Sequence, residues 1–301
     1  MKKFFLLAAV LLCCAAFVPT AASADDSADF LFEDYEEFFE PDIDGGPWVY
    51  HSANLTICIK MSYEDNRLCY IADIYIRNNE AAYTGWAHMN PPGRVTELPH
   101  VIARRYDAVF GLVGDYIPHR TNDKGVNIRD GIVYFDEDDA DVLAVMPSGE
   151  MEVYEKGTVS ADDLLALGVR DTLAFGPIIV KDGEMTEAVY KHHLKPGNVR
   201  TGIGKVEDGH YVAIVTRSRY TFPQYAQLFM RYGCEWVFNL DGGHSAAMFI
   251  MGEQVNGHSY GKLYAESTVY MRQRPLSDVL LIGTSELVPG EDEKALYSGS
   301  R

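Results

Sequence analysis

Leu55-Thr56-Ile57-Cys58-Ile59-Lys60-Met61 is rich in β-branched side chains; the polar turn Tyr63-Glu64-Asp65-Asn66 interrupts it, and Arg67 to Ile76 resumes the apolar, β-prone pattern. Two such runs around a polar turn predict an antiparallel hairpin. Outward from it, short β-prone runs recur at Ala108 to Val113, Gly131 to Phe135, Val142 to Met146, Ile178 to Val180 and Tyr211 to Thr216, with Asp182-Gly183 and Asp208-Gly209 as turn signals. Two helices are predicted. Ser160 caps one that runs through Leu164, Leu165 and Leu167 to Gly168, with Asp163 completing a capping box. Thr221 caps the other, in which Tyr225, Leu228, Phe229 and Tyr232 fall at helical spacing before Gly233. With no internal repeat and no regular strand-helix alternation, the class is α+β: a mostly antiparallel β-sheet core with a few covering helices.

The flanks read differently. Met1-Lys2-Lys3, an apolar run from Phe4 to Val18 and Ala22-Ser23-Ala24 have the layout of a secretory signal peptide, so residues 1–24 are expected to be removed and the protein secreted or placed in the cell envelope. Residues 25–47 are crowded with Asp and Glu among Phe30, Phe32, Phe38 and Phe39, which predicts a solvated linker, with docking of its aromatic rings as the other reading. One large domain over 48–285 and a tail over 286–301 complete the layout. Loss of Lys2 and Lys3 leaves 24 basic against 44 acidic residues, a net charge of −20. That excludes a nucleic-acid polyanion as partner and no membrane span is expected in the mature chain, while oligomeric state stays open. Three cysteines remain after the leader: Cys58, Cys69 and Cys234. Cys58 and Cys69 flank the hairpin turn and either cross-link it or fill the core with Cys234.

Three segments carry the chemistry. In Glu235-Trp236-Val237-Phe238-Asn239-Leu240-Asp241-Gly242-Gly243-His244-Ser245, a buried apolar strand delivers Asp241 to its end, and two glycines permit unusual angles with N–H groups free to hold a phosphate. The bland alternative is an Asp-Gly turn. In Asn198-Val199-Arg200-Thr201-Gly202-Ile203-Gly204, Arg200 offers a planar fork for phosphate oxygens, and Gly202 and Gly204 clear one strand face for a ligand or another backbone; the alternative for Arg200 is a surface ion pair. Val109 to Tyr116 ends in Gly114-Asp115-Tyr116, a second carboxylate with a ring able to stack on a sugar. Arg217-Ser218-Arg219 beside Tyr220 is either a substrate rim or a solvated turn.

In this order the segments resemble the phosphodiester glycosidase family, typified by an enzyme that removes a sugar from a sugar-1-phosphodiester. The family's strand ending in Asn-Gly-Asp-Tyr-Phe is similar to Val113-Gly114-Asp115-Tyr116-Ile117, and its Gly-x-x-Ile-Arg-x-Gly to Gly125-Val126-Asn127-Ile128-Arg129-Asp130-Gly131. Its Gly-Pro-x-Leu-Val-x-x-Gly resembles Gly176 to Gly183, its Arg-Thr-Ala-Ile-Gly resembles Arg200 to Gly204, its Asn-Leu-Asp-Gly-Gly-Gly-Ser resembles Asn239 to Ser245, and a downstream Asn resembles Asn256. The resemblance covers roughly Ala108 to Gly257 and departs at Val113, where the family has Asn, and at His244, where it has Gly. A side chain at His244 fits such a loop only if the residue avoids positive φ.

The resemblance implies hydrolysis of the C1–O bond of a sugar-1-phosphodiester or of an envelope polysaccharide. Because the phosphate leaves as a stabilised anion, donors replace the usual general acid. Arg200, Thr201 and the N–H groups of Gly242 and Gly243 would hold it, either Asp241 or Asp115 would serve the anomeric carbon or the water, and His244, Ser245, Asn256 and Tyr116 would bind substrate. No cofactor is required, although calcium is compatible with the carboxylates and carbonyls; His192 and His193 are adjacent and do not suit a shared zinc. Two other readings compete. Gly243-His244-Ser245 approximates a nucleophile elbow of a serine hydrolase, which demands a helix after Ser245, whereas Met248 to Met251 reads as a strand and Gly252 as a turn. A non-catalytic module for sugar-phosphate or envelope glycans would use the same cradle without turnover.

Overall fold

The computed structural model describes residues 37–41, 47–77, 81–89, 95–115, 125–191, 197–256 and 274–290. Among them, nine strands in the spatial order Phe38–Glu40, Trp48–His51, Leu55–Glu64, Arg67–Ile76, His210–Thr216, Thr201–Glu207, Trp236–Leu240, Ile178–Lys181 and Glu184–Met185 form one antiparallel sheet. A second, also antiparallel, runs Glu253–Gln254, Met248–Ile250, Ala108–Val113, Asp278–Thr284 and Ala82–Trp86. A three-stranded sheet (Met151–Tyr154, Val142–Val145, Asp171–Leu173) and a two-stranded ribbon (Val126–Arg129, Ile132–Asp136) complete the β-structure. The chain therefore has the expected α+β, mostly antiparallel architecture.

The predicted hairpin pairs Leu55 with Ile76 through to Glu64 with Arg67. Its turn is Asp65-Asn66, both at positive φ (50° and 60°), the handedness that matches the strand twist in a two-residue hairpin loop. Ile57, Ile59, Tyr70, Ala72 and Ile74 face the main core, which the second sheet fills from the other side with Phe110, Leu112, Phe249 and Leu280. Cys69 and Ile71 face a separate core under the helix Phe222–Arg231. Burial on both faces explains why these strands read as almost continuous apolar runs.

Both predicted helices form. Ala161–Ala166 starts at Ser160, whose hydroxyl accepts from the Asp163 N–H while the Asp163 carboxylate accepts from the Ser160 N–H. Phe222–Arg231 starts at Thr221 with Gln224 in the reciprocal role. Pro99–Arg105 and Glu187–Lys191 are helices that the pattern did not announce, the first lacking any side-chain cap at Leu98.

The structure decides between three pairs of alternatives. The face cleared by Gly202 and Gly204 is filled by protein: a Cβ at Gly202 would lie 2.9 Å from the Phe238 carbonyl oxygen and 3.1 Å from the Tyr225 hydroxyl, and one at Gly204 would lie 2.9 Å from Cys234 Sγ. The glycines admit the helix Phe222–Arg231 and the chain after it, not a ligand. Cys69 and Cys234 are free buried thiols, so no Cys58–Cys69 bridge crosses the hairpin; Cys58 stands opposite Asp73 and Cys69 opposite Ser62. Within the acidic segment expected to be a linker, Phe38–Glu40 is an edge strand paired with Trp48–His51, and Glu37 accepts a 2.6 Å hydrogen bond from the Tyr50 hydroxyl; residues 1–36, with the leader, lie outside the described residues. The Gly202→Val variant is expected to lose roughly 1–3 kcal/mol through overpacking, read as a lower urea midpoint at unchanged slope; an unchanged midpoint would show that the helix does not need this close approach.

Candidate active site

The site is built from two adjacent strand ends. Register pairs Thr201 with Leu240 and Gly202 with Asn239, so Arg200 and Asp241 are the next residues outward on neighbouring strands. The turn beyond Asp241 packs against the same place. A Cβ at Gly242 would stand 2.3 Å from the Val199 carbonyl oxygen and 3.6 Å from Arg200 Cα, and the Gly243 N–H donates to that Val199 carbonyl at 2.9 Å. Gly243 is the residue at positive φ (61°), and His244 is not, so the departure at His244 costs no backbone strain. Gly243–Ser245 then makes one 3₁₀ turn, with the Ser245 N–H donating to the Gly242 carbonyl at 3.1 Å.

Arg200 is held from three sides. Its N–H donates to Thr216 Oγ1 at 2.9 Å, its Nε donates to the Tyr220 carbonyl at 3.2 Å, and its guanidinium carbon stands 3.9 Å from the centre of the Phe222 ring. No described carboxylate pairs with its two terminal nitrogens. Burial lowers its pKa from the ordinary arginine value, which still leaves the group charged near neutrality. Phe222 and Tyr220 thus fix the plane of a cation, as bidentate recognition of an oxyanion requires.

The other expected residues divide. Asp241 is 9 % exposed, and its Oδ1 accepts from the Gly242 N–H at 2.8 Å. The Gly242 and Gly243 N–H groups are therefore committed within the protein, to Asp241 and Val199, and are not the phosphate donors the sequence suggested. Thr201 is fully buried on the strand face opposite Arg200, away from Phe222, and its hydroxyl has no partner among the described residues. His244 is exposed on the turn and Ser245 is buried. After Ser245 the chain enters the strand Met248–Ile250, so the helix a nucleophile elbow needs is absent there. Asn256 is a backbone clamp: its Oδ1 accepts from the Met248 N–H at 2.8 Å and its Nδ2 donates to the Ala246 carbonyl at 2.9 Å. Tyr116, His192 and His193 lie outside the described residues.

Asp115 belongs to a different set of contacts. It is 1 % exposed; Oδ2 accepts from Arg129 Nη2 at 3.1 Å and Oδ1 from the Ala174 N–H at 2.8 Å. Asp278 shares the same Arg129 nitrogen at 3.1 Å and also accepts from the Asp115 N–H at 3.0 Å. Arg129 donates further to the Ile128 and Thr172 carbonyls and lies over the Trp86 ring. Sequence reasoning quoted Arg129 without giving it a role and passed over Asp278. Asn239, quoted within its motif but given no role of its own, donates from Nδ2 to the Gly176 carbonyl at 2.8 Å, and its buried Oδ1 has no partner among the described residues. Among the described residues, no three His, Cys, Asp or Glu side chains converge as a metal site would require. No described helix is long and apolar enough to cross a membrane.

The layered antiparallel fold is shared with solved structures. It is similar to the zebrafish N-acetylglucosamine-1-phosphodiester alpha-N-acetylglucosaminidase catalytic domain, described as auto-inhibited by its pro-peptide, with a TM-score of 0.60 and 18% identity over 83% of this chain and 88% of that one. It is also similar to a hypothetical protein from Synechocystis, with a TM-score of 0.50 and 11% identity over 77% of this chain and 62% of that one. In sequence it is 33% identical over 153 residues to the SPbeta prophage-derived protein YomE of Bacillus subtilis (strain 168), covering 46% of this chain and 23% of that protein, so the chain spans under a quarter of that relative. The phosphodiester glycosidase family matches residues 106–283, more than half of the chain, and the protein belongs to that family.

Burial pushes the Asp278 carboxyl above the ordinary carboxylate range despite the pull of Arg129. The stability linked to this raised pKa is complete below about pH 4 and is lost as pH rises through the folded-state value. Asp278→Asn should therefore flatten the decline of stability above about pH 4, measured by urea denaturation across pH, whereas Arg129→Met should cost about 3–5 kcal/mol by stranding two buried carboxylates. An Arg129→Met variant as stable as the parent would contradict the assignment.

Proposed function

We propose that the protein is an exported hydrolase that cleaves the C1–O bond of a sugar-1-phosphodiester, with Arg200 on the departing phosphate and Asp241 at the anomeric carbon. The observation that carries this is the pairing, at adjoining strand ends, of a stacked arginine lacking a described carboxylate partner with a nearly buried aspartate, in a chain of net charge −18. A planar cation kept from the surrounding carboxylates suits an oxyanion ligand. Family membership supports the same reaction class. The leader-like first 24 residues support export.

Water adds its oxygen to C1 as the C1–O bond breaks. The bonding electrons leave with the oxygen, so the diester departs as a phosphomonoester, and the proton of the attacking water passes to a carboxylate or to solvent. Arg200 meets the negative charge that grows on the phosphate during this step, which is where donor stabilisation lowers a barrier most. Asp241 stabilises the positive charge developing at C1 or takes the proton from water. Asp115, neutralised by Arg129 and sealed beneath Ala174, supports the scaffold. The sugar is N-acetylglucosamine or a related hexose of an envelope or exported glycan.

With methyl diesters of N-acetylglucosamine-1-phosphate and of hexose-1-phosphates, free sugar and methyl phosphate should appear together. Arg200→Gln should lower kcat/KM by about 10²–10³-fold and Asp241→Asn should leave no measurable turnover, both with the native circular-dichroism spectrum. Turnover near wild type in either variant would contradict these roles. Binding of the diesters without any turnover would instead favour a glycan-binding module.

A further inference from the structure

The chain is acidic overall, but two long stretches beside the candidate site are not. From Ala188 to Val206, and again from Gly209 to Cys234, there is no Asp or Glu, while the second run alone holds Arg217, Arg219 and Arg231. These runs supply the strand that begins beside Arg200, the strand that ends at Thr216, and the turn between that strand and the helix Phe222–Arg231. A local excess of one charge sign on an oppositely charged protein concentrates ligands of the matching sign.

The turn Arg217–Tyr220 is tied to the candidate site by its backbone. Asn198 and Tyr220 exchange N–H donations to each other's carbonyls at 3.1 and 2.8 Å. The Tyr220 carbonyl also takes Arg200 Nε, and a Cβ on Gly197 would lie 3.4 Å from Arg219 Cβ. On the other side, a Cβ on Gly243 would lie 3.4 Å from Asn198 Nδ2. Arg219 thus stands on the same rim as Arg200 and the 241–245 turn. It is exposed and has no partner among the described residues. Arg67 places its guanidinium carbon 4.9 Å from the centre of the Tyr220 ring. Arg217 turns to the opposite face, where its Nη1 donates to the Tyr70 hydroxyl at 2.9 Å.

We propose that this rim is a second anion subsite, centred on Arg219, which takes a further phosphoryl group carried by the leaving alcohol. The inference rests on the hydrolase reading above and specifies its substrate class: a sugar-1-phosphodiester whose aglycone is itself phosphorylated, as in a chain of phosphodiester-linked alcohols. Arg200 holds the scissile phosphate and Arg219 the next one. A charge-assisted contact at an exposed rim is screened by salt, so the preference it creates is strongest at low ionic strength.

The test compares three N-acetylglucosamine-1-phosphate esters, of methanol, of glycerol and of glycerol 3-phosphate, with a sugar nucleotide as the arm for a second phosphoryl joined directly to the first. The glycerol 3-phosphate ester should be cleaved with kcat/KM about tenfold above the glycerol ester at low salt, and the advantage should shrink in high salt. Arg219→Gln should abolish the advantage while leaving the methyl and glycerol esters unchanged, and Arg219→Lys should retain part of it. Equal turnover of the two glycerol esters by the wild type, or an advantage that survives Arg219→Gln, would overturn the subsite while leaving the hydrolase reading intact. A preference confined to the sugar nucleotide would overturn the phosphorylated-alcohol assignment. If no ester is cleaved, the hydrolase reading fails, and binding judges the subsite. Propane-1,3-diol bisphosphate binding more tightly than propyl phosphate, with the difference lost in Arg219→Gln, supports it; equal binding overturns it.

Discussion

Gly242 approaches Val199 so closely that no side chain fits between them, and the adjoining Gly243 N–H closes on the Val199 carbonyl at 2.9 Å. This contact joins the start of one strand to the turn after its neighbour, which makes the positions of Arg200 and Asp241 mutually dependent. Downstream, the 3₁₀ turn carries the chain across to the second sheet, where Asn256 pins both the Ala246 carbonyl and the Met248 N–H. Upstream, Arg200 is pinned by Thr216, Tyr220 and Phe222. A substitution at Gly242 would therefore disturb the cation, the carboxylate and the passage between the sheets together.

Charge is sorted by burial. Arg129 sits among Asp115, Asp278 and the carbonyls of Ile128 and Thr172, and so links the two-stranded ribbon, the five-stranded sheet and the three-stranded sheet. Sealed ions of this kind need every partner, because removing one leaves an uncompensated charge in a poor dielectric. Arg200 is handled in the opposite way: an aromatic ring and a carbonyl support it, and no described carboxylate quenches it. Two arginines from two conspicuous motifs thus differ in surroundings: Arg129 interlocks the sheets, and Arg200 is the one we propose meets an anion.

Local features were legible in the sequence because their causes are local. The Asp65-Asn66 turn, the capping residues Ser160 and Thr221, and the strand after Ser245 each follow from a few neighbouring residues. Asp241 beside Arg200 was also reachable, since both motifs end at strand termini. What stayed hidden depends on partners far along the chain. Asp278 lies 149 positions from Arg129, and nothing near Asp115 says that it will be neutralised there. The pattern Gly242-Gly243 correctly signalled a special backbone, but not that its N–H groups turn inward to Asp241 and Val199. Gly202 and Gly204 announced a close approach without saying that a helix, and not a ligand, makes it. The helix Pro99–Arg105, uncapped at Leu98, owes its stability to packing on the second sheet through Ile102 and Ala103, which no local rule encodes.

In the reaction proposed for this protein the bond broken lies between the anomeric carbon and oxygen, with phosphate as the leaving group held by Arg200. Hydrolysis of a sugar-1-phosphodiester in ¹⁸O-enriched water tests it most directly, with both products weighed by mass spectrometry. The label should enter the free sugar at C1, and the phosphomonoester should emerge unlabelled. Label in the phosphate would mean attack at phosphorus, and the roles given to Arg200 and Asp241 would then be wrong.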